Sequence, residues 1–103
     1  MVDVAFIQMD MDKRTEFYKK LKIELKKDTT FPSKYLFKFI VPTDQDKIMH
    51  VENMFNHLGA VVNKTSSKTG KFTSISILVV MKKADDIISK YREAEKVEGI
   101  ISL

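Results

Sequence analysis

Three groups of residues in this chain have types that could do chemistry. The first is Lys64 to Phe72, KTSSKTGKF, where a Thr-Gly-Lys run among hydroxyl residues resembles a phosphate-binding loop. Such a loop needs a glycine five residues before its Gly-Lys pair, and a Ser or Thr directly after the lysine. Here the fifth residue before Gly70 is Thr65, and Phe72 follows Lys71. The segment downstream also reads as a strand rather than a helix. The run is therefore expected to be a hairpin turn, with Gly70 supplying a positive φ.

The second group is His50 and His57, both on one predicted helix with sparse acids nearby and no third ligand in view. With no cysteine in the chain, thiolate ligands, disulfides and cysteine nucleophiles are excluded. No metal site is expected. The third group is the carboxylates: Glu52, Glu93, Glu95 and the Asp85/Asp86 pair. All fall on predicted helix surfaces or in a first turn, where solvation and the helix dipole account for them. No acid is placed beside a base, so the sequence implies neither an enzyme nor a cofactor.

The elements that position these residues belong to one domain. The chain has 103 residues, 44% hydrophobic and 31% charged, with a formal charge of +4. Residues 13–27 hold seven basic side chains against Glu16 and Glu24, a local excess of +5, so the remainder sums to −1. A second basic group, Lys64, Lys68, Lys71, Lys82 and Lys83, lies in a region without acids. Anionic partners are admissible, and Lys64, Ser67, Lys68 and Lys71 are the candidate anion contacts. No apolar run reaches the ~18 residues of a membrane span. The opening MVDVAFIQMDMDK lacks the basic leader and long apolar centre of a signal peptide, so a cytoplasmic location is expected. Residues 1–12 read as a disordered extension ahead of a single domain over residues 13–103.

DKRTEFYKKLKIELKKDTT places Phe17, Leu21 and Leu25 one helical turn apart, with Asp12 as the expected cap. Leu21, Ile23 and Leu25 also alternate as in a strand, but the length and scarcity of β-branched residues favour helix. Lys34 to Val41, KYLFKFIV, is a strand. Tyr35, Phe37, Phe39 and Val41 share one face; Leu36, Lys38 and Ile40 share the other. Lys38 marks its own face as the less buried, since an unpaired buried ammonium costs several kcal/mol. PTDQDKIMHVENMFNHLG is a helix with Thr43 as cap, Ile48, Val51, Phe55 and Leu58 as its buried stripe, and Gly59 as its stop. AVVNK and KFTSISILVVM form a hairpin in which Ile75, Ile77, Val79 and Met81 alternate with Ser74, Ser76, Leu78 and Val80. ADDIISKYREAEK is a further helix with Ile87, Ile88, Tyr91 and Ala94 as its stripe, and IISL closes the chain as a short strand.

After the first helix the order is β-α-β-β-α-β, the split βαβ or ferredoxin-like arrangement. The expectation is an α+β sandwich: a four-stranded antiparallel sheet with two helices on one face, preceded by an N-terminal helix. The other face stays open. If the first and third strands are central neighbours, Lys38 lies near Ser74 and Ser76 with Leu36, Ile40 and Leu78 around them. That surface suits a protein partner, a second copy in a homodimer included, or an anionic small-molecule effector held by Lys38. Single-stranded RNA or another nucleic acid, bound through the basic hairpin and first helix, is the alternative, because this fold hosts RNA-recognition domains and Gly70-Lys71-Phe72 opens the third strand. It is the weaker reading: Ser74 sits where a stacking ring would be wanted, and Tyr35, Phe37 and Phe39 belong to the core face.

The FP before the first strand, the lysine within YLFKFIV, the run SSKTGKFTSISI and the ending VEGIISL together resemble the YbeD-like bacterial proteins of unknown function. The resemblance spans about Phe17 to Leu103. It implies a ferredoxin-like fold similar to the ACT regulatory domains, small-molecule sensors that often associate through their sheets. A non-enzymatic regulatory or ligand-sensing role in a bacterial cytoplasm follows from it. Lys38, Ser67, Lys68, Ser74 and Ser76 match the family's recurrent pattern, without an established role. The loop VPTDQD departs from ACT sites, which commonly use a glycine there, so amino-acid binding in the ACT manner is not expected.

Overall fold

The alternation in KYLFKFIV builds the centre of the molecule. In a computed structural model, which describes residues 11–103, Ser33–Pro42 forms β1. Phe37, Phe39 and Val41 are fully buried, while Leu36 and Lys38 are exposed. Around β1 the chain runs α1 (Met11–Asp28), α2 (Gln45–Asn53), β2 (Val61–Ser66), β3 (Phe72–Met81), α3 (Ala84–Ala94) and β4 (Ile101–Ser102). The strands pair antiparallel in the order β2-β3-β1-β4, the ferredoxin-like sheet with an added N-terminal helix.

One face of the sheet carries the core. Phe37 is its hub, with ring centroids 4.8 Å from Tyr35, 5.0 Å from Phe55 in the turn after α2 and 5.3 Å from Tyr91 on α3. Such tilted and edge-on packing adds about 0.5–1.5 kcal/mol per pair beyond area burial. Ile75, Ile77, Val79 and Met81 line the same face from β3, and Ile87, Ile88, Tyr91 and Ala94 close it from α3, as the sequence periods require.

Several local expectations shift. α1 is helical from its first described residue, so Asp12 lies within the helix and is not its cap. The expected extension falls mainly on residues 1–10, outside the described residues. Ile23 is 65% exposed, as a helix with Leu21 and Leu25 half-buried on its other side demands. The first turn of α2 is capped by Asp44, not Thr43: the Asp44 carboxylate accepts from the amides of Asp46 at 2.9 Å and Lys47 at 3.2 Å. Thr43 instead hydrogen-bonds Thr73 across the sheet at 2.9 Å. α2 ends at Asn53, well before Gly59, and passes into tight turns through His57 at φ 65°. Because the helical period lapses there, Leu58 is exposed, and Met54 joins Val51 and Phe55 in the core.

α1 docks on α3 through a polar cluster. Arg14 lies 2.9 Å from the Glu95 carboxylate, the Tyr18 hydroxyl donates to the same carboxylate, and Arg92 stacks over the Tyr18 ring. At the far end Lys22 pairs with Asp85 at 2.6 Å, and that hydrogen bond holds the Asp85 carboxyl below its usual range. Gly99, at φ 80°, closes the turn into β4; a Cβ there would fall 2.8 Å from the Pro42 ring.

Replacing Phe37 with alanine should cost about 3–5 kcal/mol in urea unfolding, as for other buried aromatic truncations. Leu36→Ala, one residue away on the open face, should cost less than about 1 kcal/mol. The three tyrosines give a second test. Burial raises Tyr18, Tyr35 and Tyr91 above the ordinary phenol value, Tyr18 further through its bond to Glu95. Folded values above the unfolded one near 10 mean that the neutral phenols' contribution is whole below about pH 10 and is lost as pH rises beyond it. Tyrosinate absorbance should therefore appear together with alkaline unfolding, and Tyr91→Phe should move the alkaline transition upward.

Candidate functional site

The register of β1 on β3 assembles the open face. Lys38 stands directly opposite Ser76, Ile40 opposite Ser74 and Leu36 opposite Leu78. β2 extends each row: Asn63 faces Ser76, Thr65 faces Ser74 and Val61 faces Leu78. A polar row, Lys38–Ser76–Asn63, therefore crosses the sheet beside an apolar row, Leu36–Leu78–Val61. All six sequence-nominated face residues come together on one surface. Ser74, Ser76 and Ile40 are half-buried, and Leu36, Lys38 and Leu78 are exposed.

The exposed apolar side chains concentrate on this face. Of eight large hydrophobic residues exposed among those described, five (Leu36, Val61, Phe72, Leu78 and Val80) point out from it. Among the described residues its only charged side chains are Lys34 and Lys38, and neither forms an ion pair there. Of the rings named for base stacking, Phe37 and Phe39 are fully buried against the helices, while Phe72 stands exposed at the hairpin end of the face.

The four nominated anion contacts do not form a group. Lys64 lies opposite Ile75 on the helix side of the sheet, where its ammonium meets Glu52 at 3.0 Å. Ser67 serves the turn: its hydroxyl accepts the Phe72 amide at 3.1 Å, while the Ser67 and Phe72 backbones bond at 2.8 Å. Gly70 has φ 75°, the left-handed conformation that the turn was expected to need, and donates its amide to the Ser67 carbonyl. Lys68 and Lys71 are exposed at the tip. His50 and His57 are both exposed, and no group of three or more His, Asp or Glu gathers at metal-ligand range among the described residues. No described helix is long and apolar enough to cross a membrane.

A family model matches residues 26–103, which include all four strands, the hairpin and every open-face residue. The chain belongs to DUF493, a family of proteins of unknown function. Neither a curated protein nor a solved structure matches it.

The DUF493 match begins near the end of α1. Beside that helix lies a feature that sequence reasoning missed. β4 pairs with β1 at Phe39 and Ile40 only, followed by the Leu103 amide donating to the Lys38 carbonyl at 2.9 Å. Among the described residues, the Leu36 backbone on that edge of β1 has no strand partner. There a groove of about 400 Å³ opens between β1 and the second half of α1. The hydroxyls of Tyr35 and Tyr91, 2.8 Å apart, belong to residues that line it.

Ser67→Ala should leave the fold intact but remove the hydrogen bond at the hairpin tip, a loss of about 1 kcal/mol. Amide exchange at Phe72 should accelerate while that of Ile75 and Ile77 stays unchanged.

Proposed function

We propose that this protein is a non-enzymatic interaction domain with a regulatory role, working through its open sheet face, and that a second copy of the chain is its partner there. The observation that carries this is the concentration of exposed apolar side chains on one face, with Leu36, Leu78 and Val61 at 51%, 39% and 58% exposure in a single row. A row that crosses three strands can meet its own image across a two-fold axis, because an isologous interface needs only a self-complementary patch. The strands have ten, six, ten and two residues, which at about 3.3 Å per residue and 4.8 Å between strands cover roughly 450 Å². That footprint, before side-chain relief, is a little over half the ~800 Å² per partner of a standard interface, the size of a weak or transient one.

The resemblance to YbeD-like proteins and through them to ACT domains supports the regulatory and cytoplasmic parts of this reading. On the same reasoning Lys38, flanked by Ser76 and Ser74, is the point at which an anionic effector would bias association. The non-enzymatic part rests on the perturbed groups: each tyrosine shift has burial as its main cause, and the Asp85 shift follows from Lys22.

Light scattering at micromolar concentration should report a dimer, and Leu36→Lys with Leu78→Lys should return it to monomer without loss of thermal stability. Since the face bears two lysines and no acidic side chain, like charges approach on pairing, and added salt should strengthen association. A wild-type protein that stays monomeric at every salt concentration would sink this reading.

A further inference from the structure

Seven basic residues lie between 13 and 27 on α1, and the docking of that helix on α3 sorts them. Arg14 and Lys22 face α3, where they pair with Glu95 and Asp85. Lys19, Lys20, Lys26 and Lys27 lie on the outer side, three and four residues before and after Ile23, which is 65% exposed. At about 1.5 Å per residue, steps of seven set Lys19 from Lys26 and Lys20 from Lys27 about 10 Å apart, in two rows along one crest. Lys20, Lys26 and Lys27 form no ion pair among the described residues. Lys19 meets Glu16 only at 3.7 Å, with both side chains two-thirds exposed. Glu24 and Asp28 turn away toward β1. The row nearer α3 continues across the seam between the helices: Asp85 lies in the field of Lys26 and Lys83 as well as Lys22, and the exposed Arg92 covers the Tyr18 ring. Four lysines of α1 thus share one outer surface with Lys83 and Arg92, against Glu16 and an Asp85 that is already paired.

We infer that this outer face of α1 and α3 docks the phosphodiester backbone of double-stranded DNA, without reading its sequence. Charge complementarity carries the inference. A DNA duplex bears one negative charge per about 1.7 Å of axis, and each phosphate met by a lysine or arginine releases a counterion. Another protein fits the face less well, because protein interfaces are depleted in lysine and enriched in aromatic residues. Here the one large exposed apolar side chain is Ile23, and no ring is exposed among the described residues of this face, with Tyr18 only 2% exposed beneath Arg92. The missing ring also disfavours single strands, whose sites stack bases on aromatic side chains. A membrane surface is disfavoured because the apolar stripe of α1, Phe17, Leu21 and Leu25, packs against the core. Lysine and arginine donate but do not accept, so a 2′-hydroxyl finds no acceptor there and duplex RNA gains no preference. The helical face lies on the other side of the sheet from the proposed dimer surface, so the two readings stand or fall separately.

The test is fluorescence anisotropy with the full chain and a labelled DNA duplex of about 20 base pairs. Binding should be micromolar at about 50 mM salt, and log K should fall against log salt with a slope of about −4 to −5, as about five phosphate contacts at 0.9 each require. Lys20→Gln with Lys27→Gln should reduce that slope by about 2. Lys68→Gln with Lys71→Gln, the same loss of charge at the hairpin tip, should leave it unchanged. All four side chains are exposed, so both double variants should keep the wild-type circular dichroism spectrum. No binding at about 50 mM salt, or equal losses from the two pairs of substitutions, would overturn the proposal. Tighter binding of a single strand, a duplex RNA, vesicles of anionic lipid or a glutamate-rich peptide would name another partner and overturn it as well.

Discussion

The register of β1 against β3 is the constraint on which the rest depends. With Lys38 opposite Ser76, Phe37 and Phe39 enter the core and Leu36 and Lys38 face outward. A slip of one residue would exchange the two sets, placing two phenyl rings in water and an ammonium among apolar side chains. Several kcal/mol of burial and desolvation oppose that slip, so one register is strongly preferred. The same choice fixes the polar row Lys38–Ser76–Asn63 and the apolar row beside it. Candidate site and core are thus two consequences of one alternation.

The helical layer is held by a different physics. α2 and α3 bury apolar stripes, and the strongly basic α1 adds to its packed Phe17, Tyr18, Leu21 and Leu25 ion pairs to two α3-side carboxylates, Glu95 and Asp85. Glu95 receives both Arg14 and the Tyr18 hydroxyl, and Arg92 covers the Tyr18 ring from outside. This placement next to α3 forms the second wall of the groove.

The elements were legible in the sequence because their signals are local. The strand alternation of Tyr35 to Val41, the stripe Ile87, Ile88, Tyr91 and Ala94, and the positive φ at Gly70 all hold in the structure. The misreadings sit where a local signal met a competing one. Asp44 took the cap that Thr43 was expected to fill, because Thr43 had a cross-sheet partner in Thr73. Leu58 kept the helical spacing on paper, but the helix had already ended. Lys64 was grouped with the hairpin lysines by sequence proximity, although strand parity sends it to the opposite face, toward Glu52.

The order of the elements, the face on which each side chain lies and the exclusion of cysteine chemistry follow from the sequence alone. These are properties of periods 2 and 3.6, readable within a few residues. Strand order, the meeting of Lys38 with Ser76, and the docking of Tyr18 and Arg14 on Glu95 were decided by the tertiary structure. Each joins residues far apart in the chain, as Tyr18 and Glu95 are, and no local pattern encodes such a partner. It is settled only when the buried area and hydrogen bonds of the whole fold outweigh the entropy of closing those loops.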